Sequence, residues 1–495
     1  MLRKAMGLLA GLAVMCSVFA AAGPAAAVEK VLAPAATVAG FAPTVLGLGV
    51  TTDIVVTGTG FVAGTIFASN DPTLVINHAS VDSSTHITLN VTAPPIPQAP
   101  VVSANPPSGQ GSPFFLQLFV RGADGTFFPI TPVRAADTRL EADGSGAPIG
   151  PQQTRSVTVL GIGEVPTTNV TTVVLNVTVT EPDAASFVTV YPAGQQLPVV
   201  SNVNFVAGQT IPNQVTVGVG AGGQISVYND AGSADVIVDI VGYYVNAAGP
   251  AGAGYAPSSG HTRVFDTRTG LPLRPGETFN FQERNAAAQG VTAAVYDITV
   301  DQPTADGYIT TYPTGSPRPT ASSVNFVAGK PAPNLVTVKI GVNDSVSFYN
   351  GSPGTVHLII DSVGVYTTSP NGWSYVVRPA PGGPFRLWDS RVDLGRPVQP
   401  RETIRVSGAA LPSATTNGVI ANATVTGPAG GGYAVVYPAA LLKPQTSSLN
   451  FNAAETRANQ VIPAPLIGPR RDISIYNDSD TAHYIIDVFA YVQAY

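Results

Sequence analysis

Short runs rich in Val, Ile, Thr and Tyr follow one another along most of the chain, and Gly, Pro, Asn and Asp separate them. Many runs alternate apolar and polar positions, the two-residue period of a strand with one buried and one solvated face. Helical periods are nearly absent beyond the first residues. The pattern predicts an all-β protein built from antiparallel sandwiches. In one representative stretch the predicted strands are 173–179, 187–191, 214–218, 224–228 and 236–241.

A block of the form Arg-x-x-Asp-(Thr/Ser)-Arg occurs three times, and the same markers follow each copy at nearly fixed offsets. These markers are a Tyr-Pro pair, an Asn-Phe pair, a second Asn, a Tyr-Asn pair and a strand with a central Asp. One module is therefore written three times with a period of about 125 residues. The three blocks supply the candidate binding residues Arg134, Asp137, Arg139, Arg263, Asp266, Arg268, Arg386, Trp388, Asp389 and Arg391.

Composition and spacing divide the chain into a signal peptide at 1–27, an Ig-like domain at 28–131 and repeats at 132–247, 248–369 and 370–495, here modules 1, 2 and 3. Two stretches rich in Pro and Gly, 246–259 and 368–383, are predicted to be linkers. The constant offsets predict that each sandwich has its own core and is independent of the others. Short linkers allow either a string or an arrangement around a pseudo-threefold axis.

The first residues have a basic start, a short apolar run and an Ala-x-Ala site, which predicts a secretory signal peptide. Cys16, the only cysteine, lies inside it, so the mature chain would have no thiol for catalysis, disulfides or zinc. The net charge is −6 and only 11% of residues are charged, with no basic stripe for nucleic acid. No later apolar run is long enough for a membrane span. These features predict a secreted, extracellular protein, with cell-wall association left open.

The segment before the repeats resembles the immunoglobulin-like IPT/TIG family. The resemblance rests on the sequence DIVVTGTGF at 53–61 and on SSTHI at 83–87. It implies an Ig-like sandwich that acts as a spacer or adhesion module rather than as a catalyst.

The three repeats are similar to modules common in secreted proteins of actinobacteria. The similarity rests on the Asp-Thr-Arg start and on NVTV at 176–179, YPAG at 191–194, SNVNF at 201–205 and VDIVG at 238–242. It implies secretion and a surface-associated role, and it implies no chemistry.

Catalytic and metal-binding signatures are missing from the sequence. There is no Gly-x-Ser-x-Gly elbow, no His-Glu-x-x-His and no calcium loop, so neither a metal nor a cofactor is expected. Each Asp of the opening block lies between two Arg, which favours its ionised form and disfavours the general-acid role that a glycosidase requires. We therefore expect a protein that is not an enzyme.

The opening block has two interpretations. It is either a structural Asp–Arg network or a site in which two Arg hold a carboxylate or sugar hydroxyls, with Phe265 and Trp388 as a stacking platform. The leading hypothesis is a secreted, non-enzymatic surface or cell-envelope protein that adheres through its repeats, with cell-wall or extracellular glycans as partners. A structural spacer or self-assembling coat is the alternative, and a divergent polysaccharide hydrolase is a remote one.

Overall fold

The computed structural model describes residues 36–494 except 43–44, 48, 95–99, 109, 122–123, 141–145, 248, 285, 369–374, 381, 412–415 and 467–469. The predicted signal peptide and Cys16 lie outside the described residues. Antiparallel sheets make up almost all of the regular structure, so the predicted all-β multi-sandwich fold is confirmed. None of the helices in the described ranges is long and apolar enough to cross a membrane.

The N-terminal domain is a sandwich of two antiparallel sheets. Its first sheet has the order β1-β3-β6-β5 and its second the order β4-β7-β8, while β2 and β9 form a small parallel pair. Ile54 and Leu89 of the first sheet pack with Val102 and Leu116 of the second in one core. Its strands are β1 (Thr37–Ala42), β2 (Val45–Gly47), β3 (Thr51–Thr59), β4 (Ile66–Ser69), β5 (Val75–Ser83), β6 (His86–Thr92), β7 (Val101–Asn105), β8 (Phe114–Gln117) and β9 (Phe119–Arg121).

The strands of the three modules repeat the same order, and the five strands predicted for module 1 are confirmed within β12, β13, β15, β16 and β17. Module 1 has β10 (Phe127–Asp137), β11 (Gln153–Thr158), β12 (Val170–Thr180), β13 (Ser186–Pro192), β14 (Val203–Phe205), β15 (Ile211–Gly218), β16 (Gln224–Asn229) and β17 (Asp235–Val245). Module 2 has β18 (Gly254–Asp266), β19 (Thr278–Gln282), β20 (Val291–Asp301), β21 (Gly307–Pro313), β22 (Val324–Phe326), β23 (Ala332–Lys339), β24 (Ser345–Asn350) and β25 (His357–Thr367). Module 3 has β26 (Tyr375–Pro379), β27 (Phe385–Asp389), β28 (Thr403–Val406), β29 (Thr416–Thr426), β30 (Gly432–Pro438), β31 (Leu449–Phe451), β32 (Arg457–Val461), β33 (Ile473–Asn477) and β34 (His483–Ala494). Short helical turns lie at Ala221–Gly223, Thr267–Thr269, Ala287–Gln289, Val342–Asp344, Ser390–Leu394 and Gly408–Ala410.

Each module has an inner and an outer sheet. In module 1 the inner sheet is β10-β17-β12-β15 and the outer sheet is β11-β16-β13-β14. Module 2 repeats this as β18-β25-β20-β23 and β19-β24-β21-β22. In module 3 the inner sheet has the order β26-β34-β29-β32, and β27 also pairs with β34. The outer sheet of module 3 is β28-β33-β30-β31. The two sheets of each module enclose a core of their own.

The modules are not independent, contrary to the expectation from their sequence spacing. The inner sheets also present apolar side chains away from their own cores, and these side chains pack together in one shared core. Val174, Val295 and Ile420 come from equivalent positions of modules 1, 2 and 3 and meet there. The expectation of a solvated face is therefore wrong for the inner sheets, because the neighbouring modules cover that face.

Aromatic rings fill one end of the shared core. Phe127 packs on Tyr366 with ring centroids 4.1 Å apart, and Tyr244 and Tyr255 lie within reach of the same ring. The hydroxyls of Tyr244 and Tyr366 form a hydrogen bond across the boundary between modules 1 and 2. A buried aromatic ring removes roughly 150–250 Å² from water, and a buried hydroxyl requires a partner. This end therefore joins modules 1 and 2 through both apolar contact and a hydrogen bond.

The predicted linkers contain strands that close the ring of modules. Phe127 bridges Ala253, and Tyr255 of β18 pairs with Tyr375 of β26. The backbone N–H of Val377 donates to the carbonyl of Gly125 at 2.8 Å, which connects module 3 back to the start of module 1. The linker prediction is thus wrong for the parts of 246–259 and 368–383 that lie in β18 and β26. Their apolar side chains enter the shared core, although Pro and Gly surround them in the sequence.

The second Asn of each repeat connects neighbouring modules. The side-chain oxygens of Asn213, Asn334 and Asn459 each accept a backbone N–H from the neighbouring module, at 3.0, 3.2 and 3.0 Å. The donors belong to modules 3, 1 and 2 respectively, so the three bonds run around the molecule in one direction. Each amide nitrogen also donates at 2.7 Å to a carbonyl of its own module. Each buried amide thus makes one hydrogen bond within its own module and one with the neighbouring module, and so holds the two modules together.

We expect Asn334→Ala to lower the free energy of unfolding by about 1–3 kcal/mol, because it leaves the buried N–H of Gln214 without its acceptor. The matched control is Asn325→Ala, since the side-chain oxygen of Asn325 accepts a hydrogen bond from Ser322 of its own module. That change should cost clearly less. Urea denaturation of the full chain measures both, and equal losses would contradict the role assigned to Asn334.

Candidate functional site

A bulge in the first strand positions the residues of each opening block. In module 1, Arg134 is opposite Asp239 and Ala136 is opposite Val238, so Ala135 is an extra residue in β10. The same register shift occurs between Arg263 and Phe265 and between Arg386 and Trp388. A β-bulge bends the strand and redirects its side chains. The two residues between Arg and Asp in the motif therefore accommodate the bulge.

The opening block forms a closed network of arginines and carboxylates. In module 3, Nε of Arg386 donates to Asp487 at 2.8 Å and its Nη1 donates to Asp389 at 3.3 Å. Arg391 also donates to Asp389, from Nε at 3.0 Å and from Nη2 at 2.7 Å. Modules 1 and 2 show the same arrangement. Each block joins the first strand to the central strand of its inner sheet.

The pKa values of the two aspartates in each network are shifted in opposite directions. Hydrogen bonds from Arg268 lower the pKa of Asp266 to about 2. Burial raises the pKa of Asp361, although hydrogen bonds from Arg263 oppose this effect. The same contact with Asp361 raises the pKa of Arg263. The acid of the opening block is therefore held ionised, as the sequence predicted, and it is unsuited to donate a proton.

The hydroxyl residue of the block fixes the chain where β27 ends. The Ser390 hydroxyl contacts Nδ1 of His483 at 2.9 Å and accepts the N–H of Tyr484 at 3.0 Å. Thr267 makes the equivalent contacts with His357 and the backbone of β25. These two histidines thus stabilise the motif. In the described part of the chain, no group of three or more His, Cys, Asp and Glu side chains is placed to hold a metal ion.

Two module boundaries contain open clefts beside these networks. Cleft A lies between modules 2 and 3, has a volume of about 230 Å³, and places Arg263 and Arg268 opposite Tyr433 and Asn450. Its lining also includes Asp301 and Gln445.

Cleft B lies between modules 3 and 1 and has a volume of about 410 Å³. Arg386 and Arg391 are on one side, and Phe187, Asn204 and Tyr228 are on the other. Clefts A and B therefore combine the same groups from equivalent positions.

The boundary between modules 1 and 2 differs. A cavity of about 20 Å³ lies there, lined by Asn176, Gln214 and Ser322. Nη2 of Arg134 donates to the carbonyl of Thr320 in module 2 at 3.3 Å. This direct contact joins the two modules beside the opening block of module 1.

The rings that line clefts A and B differ from the two rings that the sequence singled out as a stacking platform. Phe265 stacks on Phe279 with ring centroids 4.3 Å apart, and Trp388 packs against the core of module 3. Neither ring is among the residues that line clefts A and B. Tyr433 and Phe187, the second residues of β30 and β13 in the neighbouring modules, line clefts A and B instead. The Asn-Phe marker gave a signal for Asn204 and Asn450, but it carried no information on which module they face.

No protein-family model and no curated protein matches the chain. Among solved structures, it is similar to the major capsid protein P2 of bacteriophage PM2 at 11% identity and a TM-score of 0.14. That match covers 48% of this chain and 97% of the capsid protein. A likeness at this TM-score supports no statement about fold or function.

The lowered pKa of Asp266 generates a prediction for stability against pH. Its folded pKa of about 2 is below its ordinary value, so its contribution is present above about pH 4 and is lost as the pH falls through 2. Asp266→Asn should remove this contribution, about 1 kcal/mol after solvent screening, and leave a shallower decline between pH 4 and pH 2. Urea unfolding at a series of pH values measures it. Parallel declines for both proteins would contradict the assigned cause.

Proposed function

We propose that this chain is a secreted, non-enzymatic binding protein that attaches to a glycan-rich surface through clefts A and B. The observation that supports the proposal is the repeated pairing, across two module boundaries, of a partly exposed arginine pair with an aromatic ring and an amide. Guanidinium groups hold hydroxyls and carboxylates, while a ring face accepts the apolar side of a sugar. Secretion rests on the predicted signal peptide.

Arg391 illustrates why the network is compatible with binding. Its Nε and Nη2 are occupied by Asp389, and within the described part of the chain its Nη1 makes no hydrogen bond. Nearly half of the side chain, 48%, is exposed. The carboxylate holds the guanidinium in one orientation before a ligand arrives, which lowers the entropic cost of binding. One side of the group is thus structural and the other is available to a ligand.

The two clefts belong to one rigid unit, because the shared core fixes the modules relative to one another. Two weak sites held at a fixed separation on a repetitive surface give a higher avidity than either gives alone. The hydrolase alternative lacks support from the opening block, whose acids are held by arginines in all three modules.

Arginine substitutions test the proposal. We expect Arg268→Ala and Arg391→Ala each to weaken retention on insoluble cell walls and polysaccharides several-fold, and the double variant to weaken it more than tenfold. The matched control is Arg139→Ala, which removes the equivalent arginine of module 1 at the boundary where Arg134 donates directly to the carbonyl of Thr320. Co-sedimentation of the full mature chain measures the effect.

Equal losses for Arg139→Ala and Arg391→Ala would show that the effect comes from the network and not from the clefts. If the wild-type protein is not retained on any matrix, the proposal is wrong. Concentration-dependent oligomers in light scattering would then favour the alternative of a self-assembling coat.

Ring substitutions provide a second test. Tyr433→Leu should reduce retention roughly threefold to tenfold by removing the ring from cleft A. Tyr308→Leu changes the equivalent ring of module 2, at the boundary that Arg134 and Thr320 join directly, and should have little effect. The same co-sedimentation measurement compares the retention of the two variants. Equal retention would contradict a role of the Tyr433 ring in binding.

A further inference from the structure

A separate cavity lies where one loop from each module meets the other two. The loops follow β14, β22 and β31, and they surround a volume of about 370 Å³. In module 1, β12 runs from the aromatic end of the shared core at Val170 to Val179, which is opposite Ile211 at the start of β15. The loop cavity is therefore at the end away from the aromatic rings. It shares neither Arg268 nor Arg391 with the clefts.

The repeats diverge in charge at this cavity. Where β15 of module 1 begins with Ile211 and β23 of module 2 with Ala332, β32 of module 3 begins with Arg457. Arg457 is only 6% exposed and lines the cavity. A fold that accepts Ile and Ala at two equivalent positions has no general need for a buried guanidinium at the third. Burying a charge is costly unless partners compensate for it.

The partners of Arg457 only partly compensate. Its Nη1 reaches Glu455 at 3.3 Å and its Nη2 reaches the carbonyl of Pro333 at 3.4 Å, both long for charge-assisted bonds. Glu455 is also occupied by the N–H and Nδ2 of Asn452 at 2.8 and 2.9 Å. Burial lowers the pKa of Arg457. The guanidinium therefore retains capacity for an additional anionic partner.

Asp297 interacts electrostatically with Arg457 but makes no hydrogen bond to it within the described residues. It is buried, its Oδ1 has no hydrogen-bond partner among the residues that the structure describes, and burial raises the pKa of its carboxyl well above the usual value. The equivalent residues of modules 1 and 3 are the neutral Asn176 and Asn422. Within the described residues the guanidinium of Arg457 is therefore hydrogen-bonded to Glu455 and Pro333 but to no second carboxylate.

Backbone geometry also marks module 3. Ala454 has a φ of 60°, at the position where modules 1 and 2 have Gly208 and Gly329 with a φ of 72°. A left-handed conformation is unfavourable for a residue with a Cβ. Strained, non-glycine residues in this region concentrate at functional sites. The third loop thus carries both the buried charge and the strain.

The remaining walls are largely apolar. Val206 and Val327 are half exposed at 50% and 45%, and Phe326, Pro331 and Ala332 contribute further carbon surface. The exposed Lys330 adds a second cation at the lining. A cavity of this size, apolar with a few convergent polar groups, has the character of a small-molecule site.

We propose that the loop cavity binds a small organic carboxylate, with its carboxylate on Arg457 and its hydrocarbon body against Val206 and Val327. The inference goes beyond the proposed function, since it needs neither cleft. An uncharged analogue of the same shape would leave Arg457 without its additional partner, so discrimination between acid and amide is the expected signature.

The test is calorimetric titration of the full mature chain with hexanoate and benzoate, each beside its amide. We expect the acids to bind at least roughly tenfold more tightly than the amides. Arg457→Ile introduces the residue that module 1 has at this position and should abolish the preference. Glu455→Gln introduces the residue that module 1 has at the equivalent position, Gln209. It should strengthen acid binding because it removes a carboxylate that competes for Arg457.

Equal binding of acids and amides, or no binding of any of these compounds at millimolar concentration, would overturn the proposal. An unchanged preference in a folded Arg457→Ile protein would do the same. If Arg457→Ile fails to fold, Glu455→Gln and Val206→Asp test the proposal in its place. We expect stronger acid binding in Glu455→Gln and loss of binding in Val206→Asp, and the opposite results would contradict the proposal.

Discussion

Burial of both faces of the inner sheets is the constraint on which the rest of this structure depends. Each inner sheet covers the core of its own module with one face and contributes to the shared core with the other. A sheet that is apolar on both faces is unstable unless both are covered. Three modules on one chain solve this by covering one another, and the direction of the Asn213, Asn334 and Asn459 bonds fixes which module meets which.

This arrangement also creates the surfaces on which the proposed functions rest. Clefts A and B exist because the opening block of one module faces the outer-sheet residues of the next. The loop cavity exists because equivalent loops converge at one end of the shared core. Small differences between the repeats then distinguish these places from one another. A direct contact from Arg134 joins the first boundary, and Arg457 brings a charge into a cavity that is otherwise mostly apolar.

The sequence predicted the fold class, the strands of module 1 and the ionised form of the aspartates between the two arginines of each opening block, because these depend on local patterns. It did not predict the shared core. Thr172, Asn176 and Thr178 alternate with Val and Leu in β12 and indicate a solvated face, yet neighbouring modules bury them. Polar residues give the same pattern whether they face water or a hydrogen-bonded interface. The residues opposite Arg391 were missed for the same reason, since contacts between modules leave no periodic signal along the chain.

Differential scanning calorimetry of residues 28–495 tests the central claim that the three modules form one cooperative unit. The account predicts one transition for modules 1 to 3, with a calorimetric enthalpy equal to the van't Hoff enthalpy, and a separate transition only for the N-terminal domain. Three transitions assignable to the individual modules would contradict it. So would an excised module 1 that remains monomeric and unfolds at the temperature of the full chain, because its inner sheet would then not need its neighbours.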